Sequence, residues 1–206
     1  SEESSLKAML TLNPNGLYCE AGDFYIDPWR GVSRAVITHA HSDHARFGSE
    51  RYLSHHLTTP VLKHRLGENL SVQSLEYNES TTINGVTVSL HPAGHIPGSS
   101  QVRIEHRGEV WVVTGDYKLE HDGISTPFEP VQCDTFISEC TFGLPIYRWE
   151  AQQEVFRQID SWWRENKAAG RASVLTCYSL GKAQRILANV NRDIGEVFAH
   201  GAIVYT

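Results

Sequence analysis

The sequence predicts a mixed α/β fold, and three observations predict it. Between residues 71 and 116 apolar and polar side chains alternate with a period of two, broken at Asn84-Gly85 and Arg107-Gly108. That is the pattern of antiparallel hairpins. Over Trp149 to Ala169 the period lengthens, so that Val155, Phe156, Ile159, Trp162 and Trp163 share one broad helical stripe closed by Gly170. Lastly, the strand-like run Arg34-Ala35-Val36-Ile37-Thr38 leads directly into His39-Ala40-His41-Ser42-Asp43-His44, which places chemistry at a strand end.

Taken in order, residues 17–27 read as two short strands, Leu17 to Glu20 and Phe24 to Asp27, around the turn Ala21-Gly22-Asp23. Arg34 to Thr38 is a third strand, after which Ser42 is placed to cap a short helix through Ala45 and Arg46. Arg51 to Ser54 follows as a strand. Thr59-Pro60 then opens a helix to Leu66, with proline in the first turn where its missing N–H costs little, and Gly67 stops it. Thr81 to Ile83 pairs with Val86 to Leu90, and Gln101 to His106 with Glu109 to Thr114; this sheet ends twice in a candidate ligand, at His95 and at Asp116. Thr135 to Ser138 ends similarly at Glu139. Gly143-Leu144-Pro145 is the nearest thing to a boundary. Beyond it the order is helix, a buried-type strand from Ala172 to Cys177, then a helix capped by Ser179 and running to Val190 with Leu180, Ala183, Leu187 and Val190 inward. Val204-Tyr205-Thr206 reads as a further strand.

Composition narrows the function. A chain of 206 residues with 40% hydrophobic and 20% charged content has the balance of a globular protein, long enough for one buried domain and part of another. No window approaches the roughly 18 apolar residues of a membrane span, and Ser1 to Ser5 lacks the basic start of a signal peptide. Cys19, Cys133, Cys140 and Cys177 are scattered without a C-x-x-C pair, the usage of reduced thiols in a cytoplasmic protein. A net charge of −6 argues against a broad basic surface for nucleic acid, so phosphate affinity is expected from a local site.

That site is the His39–His44 run. Three imidazoles and a carboxylate within six residues point to metal, and a strand end curling back can aim His39 and His41 at one ion while Asp43 and His44 reach a second. Gly181-Lys182 is not a phosphate-cradling loop, because Thr176 and Ala183 stand where that pattern needs Gly and Ser or Thr. Trp162 and Trp163 have the spacing of core residues more than of base-stacking ones, and the remaining histidines, His55 and His56 among them, read as surface or structural.

The HxHxDH pattern resembles the signature of the metallo-β-lactamase-fold hydrolases, and the resemblance continues through Ile26-Asp27-Pro28, Pro92-Ala93-Gly94-His95-Ile96-Pro97-Gly98-Ser99 and Val113-Thr114-Gly115-Asp116-Tyr117. Ser138-Glu139-Cys140-Thr141-Phe142-Gly143 and Tyr178 to Arg185 resemble the start of the β-CASP cap of the nucleic-acid-processing branch. Within that branch the chain is similar to bacterial ligase-associated DNA exonucleases and mRNA 3′-end processing factors. The resemblance implies an αββα sandwich over residues 1–145 and the beginning of the cap over 146–206, with the rest of the cap and its further His lying beyond the chain. It also implies two divalent ions, zinc or manganese: one on His39, His41 and His95, the other on Asp43, His44 and Asp116, with Asp116 shared.

The implied reaction is phosphodiester hydrolysis by a hydroxide held between the ions, with Asp27 and Glu139 orienting ligand imidazoles. Ser99, Lys182 and Arg185 are candidate phosphate contacts; a turn, for Ser99, and a solvated helix face, for the other two, are the alternatives. The expected activity is 3′ trimming of DNA in repair, with a DNA ligase or helicase as possible partner. RNA 3′-end processing, hydrolysis of a small thioester, lactone or lactam, and an inactive scaffold are the rivals.

Overall fold

The computed structural model describes residues 8–206, which divide into two compact units. The first comprises the described residues up to His121 together with Ser125–Glu139; the second comprises Asp122–Ile124 and Cys140–Thr206.

The first unit is built on two sheets. Strands β1 (Leu10–Asn13), β2 (Gly16–Cys19), β3 (Phe24–Ile26), β4 (Arg34–Val36), β5 (Arg51–His55) and β6 (Val72–Leu75) lie in that order, antiparallel as far as β3 and parallel from β3 to β6. Helix α1 (Thr58–Leu66) packs beside β5 with Leu62 fully buried. The second sheet runs β11-β10-β9-β8-β7, comprising β7 (Ser80–Ile83), β8 (Val86–Pro92), β9 (Ser100–His106), β10 (Glu109–Val113) and β11 (Thr135–Ile137), with only the β10/β11 pair parallel. Both hairpin turns have two consecutive residues at positive φ, Asn84 and Gly85 at 47° and 83°, Arg107 and Gly108 at 53° and 81°. That twist matches the strands they join. Phe24, Ile26, Val36 and Leu53 from the first sheet and Val86, Val88, Leu90, Val102 and Ile104 from the second belong to one hydrophobic cluster, so the two sheets share a core.

The second unit holds α2 (Gln152–Ala168), α3 (Lys182–Asn189), a 3-10 turn at Arg192–Ile194 and α4 (Gly201–Val204). Phe156 is the buried member of the predicted stripe; Trp162 is exposed.

Four elements differ from the sequence expectation. Ser42 starts no helix: His44 and Ala45 donate to the His41 carbonyl at 3.1 and 2.9 Å, closing a single turn. Ala172 to Cys177 forms no strand, since no described residue offers it a ladder, and Val174 and Leu175 are exposed. The third helix begins at Lys182, not beside Ser179. Gly181 N–H donates to Gln184 Oε1 (2.7 Å) and Gln184 Nε2 donates to the Ser179 carbonyl (2.8 Å), so glutamine closes the end that the serine hydroxyl was expected to cap. Finally, the last residues turn into α4 because His200 Nδ1 accepts from Ala202 N–H and Thr206 Oγ1 donates back to the Ala202 carbonyl. Two strands, β1 and β6, were not anticipated.

Candidate metal centre

The predicted ligands come from carboxyl ends of strands in both sheets, where α/β folds place their sites. Asp27 follows β3, Thr38 to His44 follow β4, His95 follows β8, Asp116 follows β10 and Glu139 follows β11. The Ser100 N–H donates to the Thr38 carbonyl at 2.8 Å and joins the two sheets at this end.

Asp27, held at φ 45°, organises the first loop. Its Oδ1 accepts the Thr38 N–H (2.8 Å), and its Oδ2 accepts both the Thr38 hydroxyl (2.5 Å) and the His44 Nδ1–H (2.8 Å). A hydroxyl has one proton, and Thr38 gives it to Asp27. Its oxygen, 3.0 Å from His39 Nδ1, therefore accepts from that ring, which leaves the lone pair of His39 on Nε2. That atom is buried and has no hydrogen-bond partner. An acceptor nitrogen sealed from water would be costly unless something electropositive faces it.

What faces it is the rest of the predicted set. His39 Nε2 and His95 Nε2 each lie 3.6 Å from Asp116 Oδ2, and His95 Nε2 lies 3.2 Å from His41 Nδ1. Four ligand atoms around a tetrahedral zinc, each about 2.0–2.1 Å from it, stand about 3.3 Å apart. His39, His41, His95 and Asp116 thus have the spacing of a metal shell. The other oxygen of Asp116 turns to His44: Oδ1 is 3.2 Å from His44 Nε2, which is 3.5 Å from Asp43 Oδ2. The His39, His41, His95 and Asp116 set fits a divalent cation, and Asp27, His39 and His44 form a second group with metal-ligand spacing.

Electrostatics agree. Burial, reinforced by His44 and His95, holds His39 well below the ordinary imidazole value, and burial with His41 lowers His95, so both are neutral ligands at neutral pH. His44 goes the other way. Burial works against its charge, yet Asp116 and Asp27 on either side raise it to about 10. The hydrogen bond with His44 is in turn the main cause that brings Asp116 down to about 2. With Nδ1–H committed to Asp27, the titrating atom of His44 is Nε2, and the place that favours a proton there favours a cation.

The His95 turn is fixed by buried groups. Ser99, 1% exposed, accepts the N–H groups of His95 (3.0 Å) and Ile96 (3.2 Å) with its hydroxyl. The Ser99 hydroxyl thereby satisfies the turn after the ligand strand. Thr58 Oγ1 donates to the Gly98 carbonyl and Tyr77 Oη to the Ser99 carbonyl, both at 2.9 Å, and the Arg65 guanidinium donates to the Ala40 carbonyl inside the His39–His44 loop. Sequence reasoning passed over Thr38, Thr58, Arg65 and Tyr77. Only Thr38, adjacent to His39 at a strand end, gave a usable signal. Glu139 lines a cleft with Asp27, Asp43, His44 and Asp116. Lys182 and Arg185 lie on α3 in the second unit, Lys182 exposed and Arg185 half-buried.

His55 and His56, expected to be surface or structural, form a separate cluster with Glu76. His55 stacks on Tyr77 at 3.8 Å and accepts the Leu57 N–H at Nδ1, which puts its proton on Nε2 and leaves no lone pair for a metal. His56 pairs with Glu76 at 2.8 Å.

No family model matches the chain. Among curated proteins it is 31% identical over 189 residues to a "Probable DNA ligase" of Opitutus terrae, across 90% of this chain and 18% of that protein. It is 27% identical over 171 residues to "Endoribonuclease YSH1" of Gibberella zeae (80% and 19%) and 27% identical over 120 residues to "Cleavage and polyadenylation specificity factor subunit 3" of Dictyostelium discoideum (56% and 15%). The chain spans less than a fifth of the length of these relatives. A solved structure from Enterococcus faecalis V583, described as a protein of unknown function, aligns with 42% of this chain and a quarter of that one at TM-score 0.35 and 19% identity, too slight a likeness to bear on the fold. The motif series from Asp27 through the His39–His44 run, His95 and Asp116 to Glu139 carries the resemblance to the β-CASP branch of the metallo-β-lactamase superfamily, and these relatives support it.

Proposed function

We propose that the chain carries the metal centre of a nuclease that hydrolyses phosphodiesters in nucleic acid, and that its activity is 3′ exonucleolytic trimming of DNA in repair. The observation that supports this best is the Asp116 carboxylate, which turns one oxygen to His39 and His95 and the other to His44. A carboxylate so shared suits two adjacent cations, zinc or manganese, on the ligand sets His39, His41, His95 and Asp43, His44, Asp116. When bound, such ions supply Lewis acidity toward a phosphoryl oxygen and acidify water. The chain's own groups set the geometry: Asp27 fixes the proton positions of His44 and, through Thr38, of His39; Ser99 holds the His95 turn; Glu139 adds a carboxylate to the cleft wall.

In this reading the first unit is the αββα core and the second the beginning of a β-CASP cap, where Lys182 and Arg185 are phosphate contacts. DNA is favoured because the relative named for DNA ligase aligns with more of this chain, and at higher identity, than the endoribonuclease-named relative from Gibberella zeae. The same relative motivates a DNA ligase or helicase as partner. Among the described residues no helix is long and apolar enough to cross a membrane. Scattered thiols with no disulfide suit a cytoplasmic setting. The endoribonuclease names keep RNA 3′-end processing as the second reading.

The test is cleavage of matched 5′-labelled single-stranded DNA and RNA by the full chain with Zn²⁺ or Mn²⁺, with Asp43→Ala as control. Stepwise shortening of DNA that the control abolishes is the expected result, and selective loss of RNA moves the assignment to RNA processing. Turnover of a thioester, lactone or lactam with neither strand cut overturns both.

A further inference from the structure

Resting on that reading, we infer that Trp29 is a stacking platform for a nucleobase of the substrate, placed beside the metal centre. The cleft of about 340 Å³ that reaches Asp116 is lined by two unlike sets of side chains. One set is the carboxylates of Asp27, Asp43, Asp116 and Glu139, and no lysine or arginine lines the cleft among the described residues. Beyond the phosphate drawn to the cations, the cleft therefore offers a polyanionic backbone no cationic side chain, and the part of the substrate it suits is uncharged. The other set is apolar: Trp29, Leu12, Leu17 and Ile137.

Trp29 is suited to this role by contrast between its backbone and its ring. The Trp29 N–H donates to the Asn15 carbonyl at 2.8 Å in the β1–β2 turn. That turn is itself tied down by Asn13, whose side chain accepts from Asn15 N–H and donates to Tyr25 Oη. Gly16, at φ 123°, brings the turn so close that a Cβ there would meet Pro28 Cα at 3.3 Å. Trp29 is nevertheless 53% exposed, and Leu12, which also lines the cleft, is 70% exposed. An anchored backbone presenting an open aromatic face costs little ordering on binding, and an indole stacks on any base. A nucleobase is the flat, uncharged group that a nucleic-acid strand offers next to its phosphates.

The experiment uses the full metal-loaded chain, wild type, Trp29→Ala and Trp29→Phe, on oligonucleotides whose terminal nucleotide carries a base or is abasic. Wild type is expected to prefer the base-bearing end in kcat/KM by roughly ten-fold, the scale of one stacked base. Trp29→Ala should bring that ratio toward one, and Trp29→Phe should keep most of it, which separates stacking from a fold defect. A wild-type ratio near one, or a ratio unmoved by Trp29→Ala, overturns the inference and leaves the nuclease reading standing. If wild type cleaves no nucleic acid, that reading fails. The inference then stands or falls on whether a nucleoside monophosphate quenches wild-type fluorescence more than that of Trp29→Phe.

Discussion

Asp27 governs two ligand imidazoles at once, and that makes it the residue whose chemistry is easiest to misjudge from its place in a turn. Its replacement by Asn keeps the shape and removes an acceptor. The Thr38 N–H still needs an oxygen, so the new amide nitrogen would face His44 Nδ1 and turn that ring to the wrong tautomer, with its proton on the ligand atom. Asp27→Asn should therefore weaken zinc binding by roughly 10- to 100-fold in a calorimetric titration while moving the urea midpoint little. Unchanged affinity would remove the tautomer argument. A titration prediction belongs to His55, which burial, with His56 adding, lowers from 6.5 to about 4. The unfolded chain takes up that proton first, so stability falls as pH drops from 6.5 to about 4, by roughly 3 kcal/mol across the window. Other buried histidines add to the wild-type slope, so the readout is the difference from His55→Phe, whose ring keeps the stack on Tyr77 without titrating; equal slopes would count against it. At this scale the candidate ligands that the fold brings together were legible because imidazoles and carboxylates announce themselves by type. Thr38, Arg65 and Tyr77 did not, since each acts through a bond whose partner only the folded turn supplies.

Among the elements, the hairpin turns were legible to the residue, because Asn84-Gly85 and Arg107-Gly108 carry a backbone conformation that few other pairs adopt. The 172–177 segment was misread for the complementary reason: apolar, β-branched composition states a preference, whereas a strand also requires a neighbour. α4 shows a local cap overriding the same preference. A tight element-level constraint that bears on the site lies in the link between β10 and Asp116. Gly115 sits at φ 57°, and a Cβ there would meet Thr38 Oγ1, Cβ and Cγ2 at 2.5, 2.6 and 2.9 Å. Gly115→Ala should push on the one residue that connects Asp27 to His39. The expected outcome is loss of stability by about 2 kcal/mol or more in urea, together with loss of zinc binding. Gly85→Ala, at a positive φ with nothing within 4 Å, should cost only about 1 kcal/mol and leave zinc binding alone.

For the whole first unit, the division of the strands into two sheets was beyond the sequence reading, since periodicity tells which face is buried but not against what. The division matters because Asp27 and His39–His44 belong to one sheet and His95 and Asp116 to the other. A cation held by both sets clasps the sheets, so adding Zn²⁺ to chelator-stripped protein should raise the melting temperature. By mass action the gain is about 2.7 kcal/mol at a hundredfold excess over Kd. Asp116→Asn should abolish most of that gain, and a metal-independent melting temperature would show that the ligands do not close on an ion.

The same split has a consequence in time. Synthesis runs from the amino terminus, so the loop bearing His39 to His44 emerges well before Asp116, when the hairpins that carry His95 and Asp116 do not yet exist. Until they fold onto the first sheet, the early loop can bind a metal loosely but cannot hold it in a working shell. On the proposed nuclease reading this is a safeguard written into chain order: the full ligand set, and with it the proposed capacity to cut, comes together only with the finished interface between the sheets.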